Sequence, residues 1–235
     1  KKEIERIRTG LPGFDELITE GIPRGFTILV AGGTGSGKTV FSLEFLIKGA
    51  SEYGEPGIYV TFEETPESIR KTARLFGWNI DELEEKNLVK ILSKDPYEIK
   101  DFSKALGGEL YYTIKELGAK RIVIDSITYL GNTLEKTPEF RRVLATLNKR
   151  FKELGITAFF ISETHEGSEG IGVFGIEEFI SDGVVRLHNF LIKDVRQRAI
   201  EILKMRQTNH DRMLHPFEIT NHGIEVYTTE QVFKE

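Results

Sequence analysis

The sequence predicts an α/β fold with a mostly parallel central sheet flanked by helices and antiparallel strands toward its C-terminal end. Three observations carry this prediction. Short β-branched and aromatic runs alternate with amphipathic helical patterns up to about Ser162, the rhythm of βαβ units. A glycine-rich turn, Gly32-Gly33-Thr34-Gly35-Ser36-Gly37-Lys38-Thr39, joins an apolar run to a helical pattern. Beyond Asp182, four strand-like segments follow one another with no helical pattern between them.

The first strand is Phe26-Thr27-Ile28-Leu29-Val30-Ala31, almost wholly apolar, as a strand covered on both faces should be. After the glycine-rich turn, Val40, Phe41, Leu43, Leu46 and Ile47 mark a helix that stops near Gly54. Gly57 to Phe62 forms the next strand and ends on Glu63-Glu64. Thr65 and Pro66 have the chemistry of an N-cap and a first helical position. Their helix carries Ile69, Ala73 and Phe76 on one face and ends at Gly77. Leu88–Leu92 reads as a strand, and Ile99–Leu117 as one long helix with a bend at Gly107-Gly108. Arg121–Asp125 is a buried strand with a carboxylate at its end. Pro138 opens a helix to Leu154, whose stripe Phe140, Leu144, Leu147 and Phe151 is core packing. Ile156–Ser162 is another buried strand, followed by a glycine-rich loop over Gly167–Gly175. Gly183–Leu187, Ala199–Arg206, Pro216–Thr220 and Ile224–Tyr227 read as the late strands, an antiparallel extension or an edge meander.

At 235 residues, with no internal repeat and no Pro/Gly/Ser linker, the chain is expected to form a single domain over 1–235. It contains no cysteine, which excludes disulfides, thiolate metal sites and a thiol nucleophile. The formal charge of −5 excludes a global basic field for nucleic acid. No apolar run approaches the roughly 20 residues that span a bilayer, and no signal-peptide pattern opens the chain, so a cytoplasmic protein with no membrane partner is expected. His165, His188, His215 and His222 lack metal-ligand spacing, and Ser162, Glu163 and His165 lack the strained elbow of a nucleophile triad.

Gly32, Gly37, Lys38 and Thr39 fit G-x-x-x-x-G-K-[ST] without a mismatch, in the strand-to-helix context the motif requires. Backbone N–H groups from Gly32 through Thr39 would cradle the phosphates of ATP or ADP at a helix N-terminus. Lys38 would neutralise the β- and γ-phosphates, and the Thr39 hydroxyl would ligate Mg²⁺. Asp125, ending a buried strand, is the expected second Mg²⁺ element. Glu63 and Glu64 end the strand after the glycine-loop helix and are the candidates to orient or deprotonate the attacking water. Glu163 is a weaker rival, and favouring the next helix's dipole is the bland alternative for the glutamate pair.

Several separate motifs add a resemblance. They are Thr9-Gly10-Leu11-Pro12-Gly13-Phe14-Asp15-Glu16-Leu17 with Gly21-Ile22-Pro23-Arg24-Gly25, the P-loop, and Val60–Pro66 with Phe76-Gly77-Trp78. Phe174–Phe179 leading to Asp182-Gly183-Val184, and Leu203–His210 with Pro216–Thr220, complete the set. Together they cover nearly the whole chain, which resembles a single-domain member of the KaiC-like branch of the RecA superfamily. The resemblance implies a RecA-type P-loop NTPase fold and a usually hexameric homo-oligomeric ring with nucleotide between subunits; slow ATP hydrolysis by that ring in a signalling or assembly role is the first reading of its function. It implies that Glu63 and Glu64 are paired catalytic glutamates. It also implies that Lys204 and Arg206 reach the γ-phosphate of the neighbouring subunit's nucleotide, with Thr208 and His210 making further contacts across that interface; Met205, between the two cations, is counted among the nucleotide-binding residues. Thr220 and Asn221 match a pair near base and ribose; the second is often Asp in the family, so Asn221 is a departure.

Lys204 and Arg206, two apart on one strand, would share a face and could act as a trans finger, or could form the charged, solvated face of an edge strand. Two other functions stay open: a nucleotide-gated binding protein with negligible turnover, and a recombination-type ATPase acting on DNA. The Gly167–Gly175 loop carries Glu169, with His165 and Glu166 just before it, no Lys or Arg, and Phe174 as its one aromatic. That disfavours direct DNA contact. The protein partner downstream is unknown.

Overall fold

A computed structural model describes residues 4–19, 21–104, 108–134, 137–164, 170–230 and 232. In chain order the strands are β1 (Arg6–Ile7), β2 (Ile22–Pro23), β3 (Thr27–Gly32), β4 (Gly57–Thr61), β5 (Val89–Ser93), β6 (Arg121–Asp125), β7 (Thr157–Glu163), β8 (Gly183–Ile192), β9 (Val195–Met205), β10 (His215–Thr220) and β11 (Gly223–Val226). The helices are α1 (Lys38–Tyr53), α2 (Pro66–Leu75), α3 (Ile80–Glu85), α4 (Pro96–Lys104), α5 (Glu109–Leu117), α6 (Ile127–Leu134), α7 (Thr137–Glu153) and α8 (Glu177–Ile180).

The main sheet has the order β11-β10-β9-β8-β3-β7-β6-β4-β5. The run from β8 to β5 is parallel, and β9, β10 and β11 extend it antiparallel. Alternation along the strands divides the core between two faces, because successive side chains of a strand point to opposite sides. Ile28 and Val30 of β3, with Tyr59, Val123, Phe159 and Ile161, pack beneath Phe41 and Phe45 of α1. Leu29 and Ala31, with Ile58, Val60, Ile122, Ile124 and Phe160, pack beneath Phe140, Leu144, Leu147 and Phe151 of α7. Both faces are covered, which accounts for the near-continuous apolar reading of these strands.

Several local expectations hold. Thr65 caps α2, its side chain accepting from the Ser68 N–H, with Pro66 in the first turn. Gly54, left-handed at φ 62°, ends α1. Four readings are corrected. The expected long helix over Ile99–Leu117 is two helices, and Gly108 at φ 87° starts the second; Gly107 lies outside the described residues. Helix α6 follows Asp125 directly, where no helix was expected. β8 pairs parallel with β3, so only the three strands after it are antiparallel. β9 ends at Met205, so Arg206 lies just past the strand that carries Lys204.

A buried ion pair ties the N-terminal segment to the sheet. Arg121 is fully buried and donates to Glu55 Oε2 at 2.7 Å and to the carbonyls of Thr9, Phe45 and Arg8 at 3.0, 2.8 and 2.5 Å. Its guanidinium lies over the rings of Phe45 and Tyr53.

Candidate functional site

Parallel strands bring their C-terminal ends to one edge of the sheet, where ligands of open α/β folds bind. Here the register aligns Gly32 of β3 with Glu163 of β7, and Thr61 of β4 with Asp125 of β6. A cleft of about 270 Å³ opens there, lined by Thr34, Gly35, Lys38, Thr39, Thr61, Glu63, Glu64, Asp125, Glu163 and Thr164. The expected P-loop, strand-end aspartate and glutamate pair therefore converge on one site.

The glycines of the loop are required by close approach and by backbone angle. A Cβ at Gly32 would lie 2.4 Å from Ser36 Oγ and 2.7 Å from Leu187 O. Gly37 has φ 95°, a left-handed conformation, immediately before α1. The loop's N–H groups and the start of α1 together form an anion cradle. Lys38 Nζ donates to Gly33 O at 2.9 Å, which holds the ammonium over the loop. Two distant residues support the loop from the β8–β9 hairpin. Asn189 Nδ2 donates to Thr34 O at 3.3 Å and Arg198 Nε to Gly35 O at 3.0 Å.

Tyr59 links the two expected metal ligands. Its buried hydroxyl donates to Asp125 Oδ2 at 2.5 Å and also bonds the Thr39 side chain. A hydroxyl and a carboxylate oxygen, held together at the phosphate cradle, suit Mg²⁺, which takes few protein oxygens and keeps water and phosphate oxygens as its other ligands. Among the described residues no group of three or more His, Asp or Glu side chains forms a metal cage of its own. Burial lifts the Asp125 carboxyl to about 6, with the Tyr59 hydrogen bond and Lys38 opposing and Glu64 and Glu63 adding to the rise. Glu63 is raised by burial and by Glu163 and Glu64. Burial lowers Lys38, and Glu163 and Asp125 oppose that. The cleft thus sets one ammonium against a crowd of carboxylates, an environment that an added cation would relieve.

The glutamate pair is not symmetric. Glu64 is tied down: Ser68 Oγ donates to its Oε2 at 2.7 Å, and Thr61 Oγ1 accepts from its N–H at 3.1 Å.

The remaining predicted residues fall into two groups. Thr220 and Asn221 lie at the β10–β11 turn, on the P-loop side of the molecule. A Cβ on Gly37 would lie 3.1 Å from Ile219 Cδ1 and 3.6 Å from Phe217 Cε2 of β10. Lys204, Met205, Arg206, Thr208 and His210 lie at the opposite end of the sheet. Met205 pairs with Gly183, which pairs with Ile28. From Ile28 to Gly32, four residues on, the strand runs about 13 Å at roughly 3.3 Å per residue. Lys204 Nζ donates to the carbonyls of Glu178 and Ser181 at 2.9 and 2.6 Å. Arg206 Nη1 reaches the buried carboxylate of Asp182 at 3.4 Å. Thr208 Oγ1 accepts from Arg6 Nη1 at 2.8 Å, and His210 forms a bridge with Ile18.

Sequence reading missed Tyr59, Asn189, Arg198, Thr61 and Thr164. Tyr59 has a faint signal, a hydroxyl in the middle of a buried strand. Asn189 and Arg198 have none, because only the tertiary fold brings them to the loop. His165, Glu166 and Glu169 lie outside the described residues.

Residues 7–231 match the family model described as ATPase: KaiC. The circadian clock oscillator protein KaiC of Nostoc sp. (strain PCC 7120) is 41% identical over 230 residues, covering 95% of this chain and 44% of that protein. Its counterpart in Synechococcus elongatus is 39% identical over 232 residues, covering 95% of this chain and 44% of that protein. The chain thus spans under half the length of the curated relatives it matches. A solved KaiC-like protein from the hyperthermophilic archaeon Pyrococcus horikoshii OT3 superposes with a TM-score of 0.85 at 39% identity, covering 96% of this chain and all of that one. The chain belongs to the KaiC ATPase-domain family and carries its RecA-type fold.

Proposed function

We propose that residues 1–235 form one ATPase domain that hydrolyses Mg·ATP slowly at the interfaces of a homo-oligomeric, hexameric ring. In this reading Gly32–Thr39 cradle the phosphates, Lys38 neutralises the β- and γ-oxygens, and Thr39 and Asp125 hold Mg²⁺. The ion, when bound, draws charge from the phosphate oxygens and orients the transferring group. Glu63 takes the proton of the attacking water, and Glu64, tethered by Ser68, carries part of the field around it. Thr220 and Asn221 contact base and ribose. Lys204 and Arg206 reach the γ-phosphate of the next subunit, with Met205, Thr208 and His210 lining the same approach. The ring serves a signalling or assembly role through a protein partner.

One observation carries the ring: Lys204 and Arg206 sit at the end of the sheet remote from their own P-loop. Cations with a role in phosphoryl transfer at that position must serve another subunit's site, which a heterologous, ring-closing interface provides. A DNA motor has less support, since Phe174, the loop's aromatic, packs on Phe140 at 4.8 Å and over Gly131 rather than standing free to stack on bases. Phosphate release by the purified protein tests the catalytic assignment. Replacing Glu63 and Glu64 together by Gln is expected to lower turnover by about 10²-fold or more, the usual worth of a general base. Unchanged release would remove both residues from the mechanism.

A further inference from the structure

Glu44 is an acidic residue on the buried face of α1, the helix that begins with Lys38 and Thr39. It is 1% exposed and lies between Phe41 and Phe45 in the chain. A buried carboxyl among apolar side chains costs stability unless its oxygens are bonded. Its Oε2 accepts the N–H of Ile224 at 2.7 Å. Among the described residues β11 is the edge strand of the sheet, so this carboxyl takes a backbone donor that faces away from β10 and has no strand partner there. Gly223 makes room for it, since a Cβ there would lie 2.5 Å from the same oxygen.

The β10–β11 turn is held from a second side. Trp78 Nε1 donates to His222 O at 3.1 Å, and the indole stacks on Phe76 at 4.8 Å between ring centres. Within the turn, Thr220 Oγ1 donates to Gly223 O and accepts from the His222 N–H, each at 3.1 Å. Thr220 and Asn221 are thus fixed relative to the P-loop helix through Glu44, and relative to the α2–α3 connection through Trp78.

We infer that Glu44 and Trp78 are positioning residues for the nucleoside half of the nucleotide: they hold the Thr220–Gly223 turn at a set distance from the phosphate cradle, so that base and ribose are read in register with the phosphates. The inference rests on the proposed nucleotide site and goes beyond it, because neither residue lines the phosphate cleft. A residue that only stabilised the fold would affect every ligand of the cradle alike. A residue that positions the turn affects ligands with a nucleoside and spares those without one.

The test compares Mg·ATP with Mg·tripolyphosphate, which carries the phosphate chain alone, by calorimetric titration of the full chain. Glu44→Leu and Trp78→Phe are each expected to weaken ATP about tenfold, the scale of one lost hydrogen bond, with tripolyphosphate affinity unchanged. Glu44→Gln, which keeps an acceptor for Ile224, is expected to retain ATP affinity within about threefold. Unchanged ATP affinity in Glu44→Leu and Trp78→Phe overturns the inference, and so does an equal loss for both ligands. If Glu44→Leu fails to fold, Trp78→Phe, which removes a donor and keeps a ring, decides alone. If the unaltered protein binds neither ligand, the phosphate-cradle reading fails and the inference falls with it.

Discussion

Glu44 makes the stability of this domain depend on pH in a direction opposite to most carboxylates. Burial lifts it from 4.5 to about 7, with the Ile224 N–H and Lys48 opposing and Glu52 adding to the rise. The folded state therefore binds this proton more tightly than the unfolded chain. Stability from this group is whole below about pH 4.5 and is lost as pH rises toward 7. The gap between the two values corresponds to about 3 kcal/mol once the group is fully ionised. For a chain of this length that is about 6–12 °C in Tm. Glu44→Gln keeps an acceptor and cannot ionise. The assay is urea denaturation of both proteins, free of nucleotide, between about pH 4.5 and pH 8. The stability of the original protein relative to Glu44→Gln is expected to fall by about 3 kcal/mol across that window. Parallel pH curves for the two proteins would refute the reasoning, because they would show that the carboxyl ionises as readily folded as unfolded.

Two further outcomes follow from the same geometry. Arg121→Met takes one of two arginines from Glu55, which keeps Arg24, and leaves the buried carbonyls of Thr9 and Phe45 without this donor, and is expected to cost about 2–4 kcal/mol in denaturant titrations. A loss below about 1 kcal/mol would mean that the pair only offsets its own desolvation. Light scattering with and without Mg·ATP is expected to show a closed oligomer in the presence of nucleotide. A monomer under every condition would leave Lys204 and Arg206 with no γ-phosphate to reach.

Much of the site was legible because its chemistry is local. The P-loop needs glycines, a lysine and a hydroxyl at fixed spacing, and Phe26–Ala31 before it reads as a strand on hydrophobicity alone. Asp125 and Glu63 were legible for the same reason: each ends an apolar run, and parallel strands carry their ends to one edge. The rest depends on contacts between distant segments. β8 reads like the strands after it, and only its pairing with β3 makes it parallel. α6 is only eight residues long, contains Gly131 and carries no charged residue, so its apolar stripe of Ile127, Leu130 and Leu134 is a weak helical signal. Arg121 looks like a solvated residue at the start of a strand, because Glu55 and the carbonyls that bury it come from elsewhere in the chain. Glu44 looks like an ordinary helix glutamate until β11 is laid beside α1. The family resemblance already divides the predicted nucleotide contacts between two subunits, and what only the fold adds to the argument for a shared site is that Lys204 and Arg206 sit at the end of the sheet away from their own P-loop.

The measurement that bears most directly on that argument is complementation between two inactive variants. Lys38→Ala disables the cradle and keeps the finger, whereas Lys204→Ala/Arg206→Ala keeps the cradle and disables the finger. In rings mixed at random from equal amounts, about a quarter of interfaces join an intact cradle to an intact finger. Turnover is then expected to recover to about a quarter of the original rate, while each variant alone falls about 10³-fold or more. Mixed rings that form yet hydrolyse no faster than either variant would contradict a site completed by the neighbouring subunit.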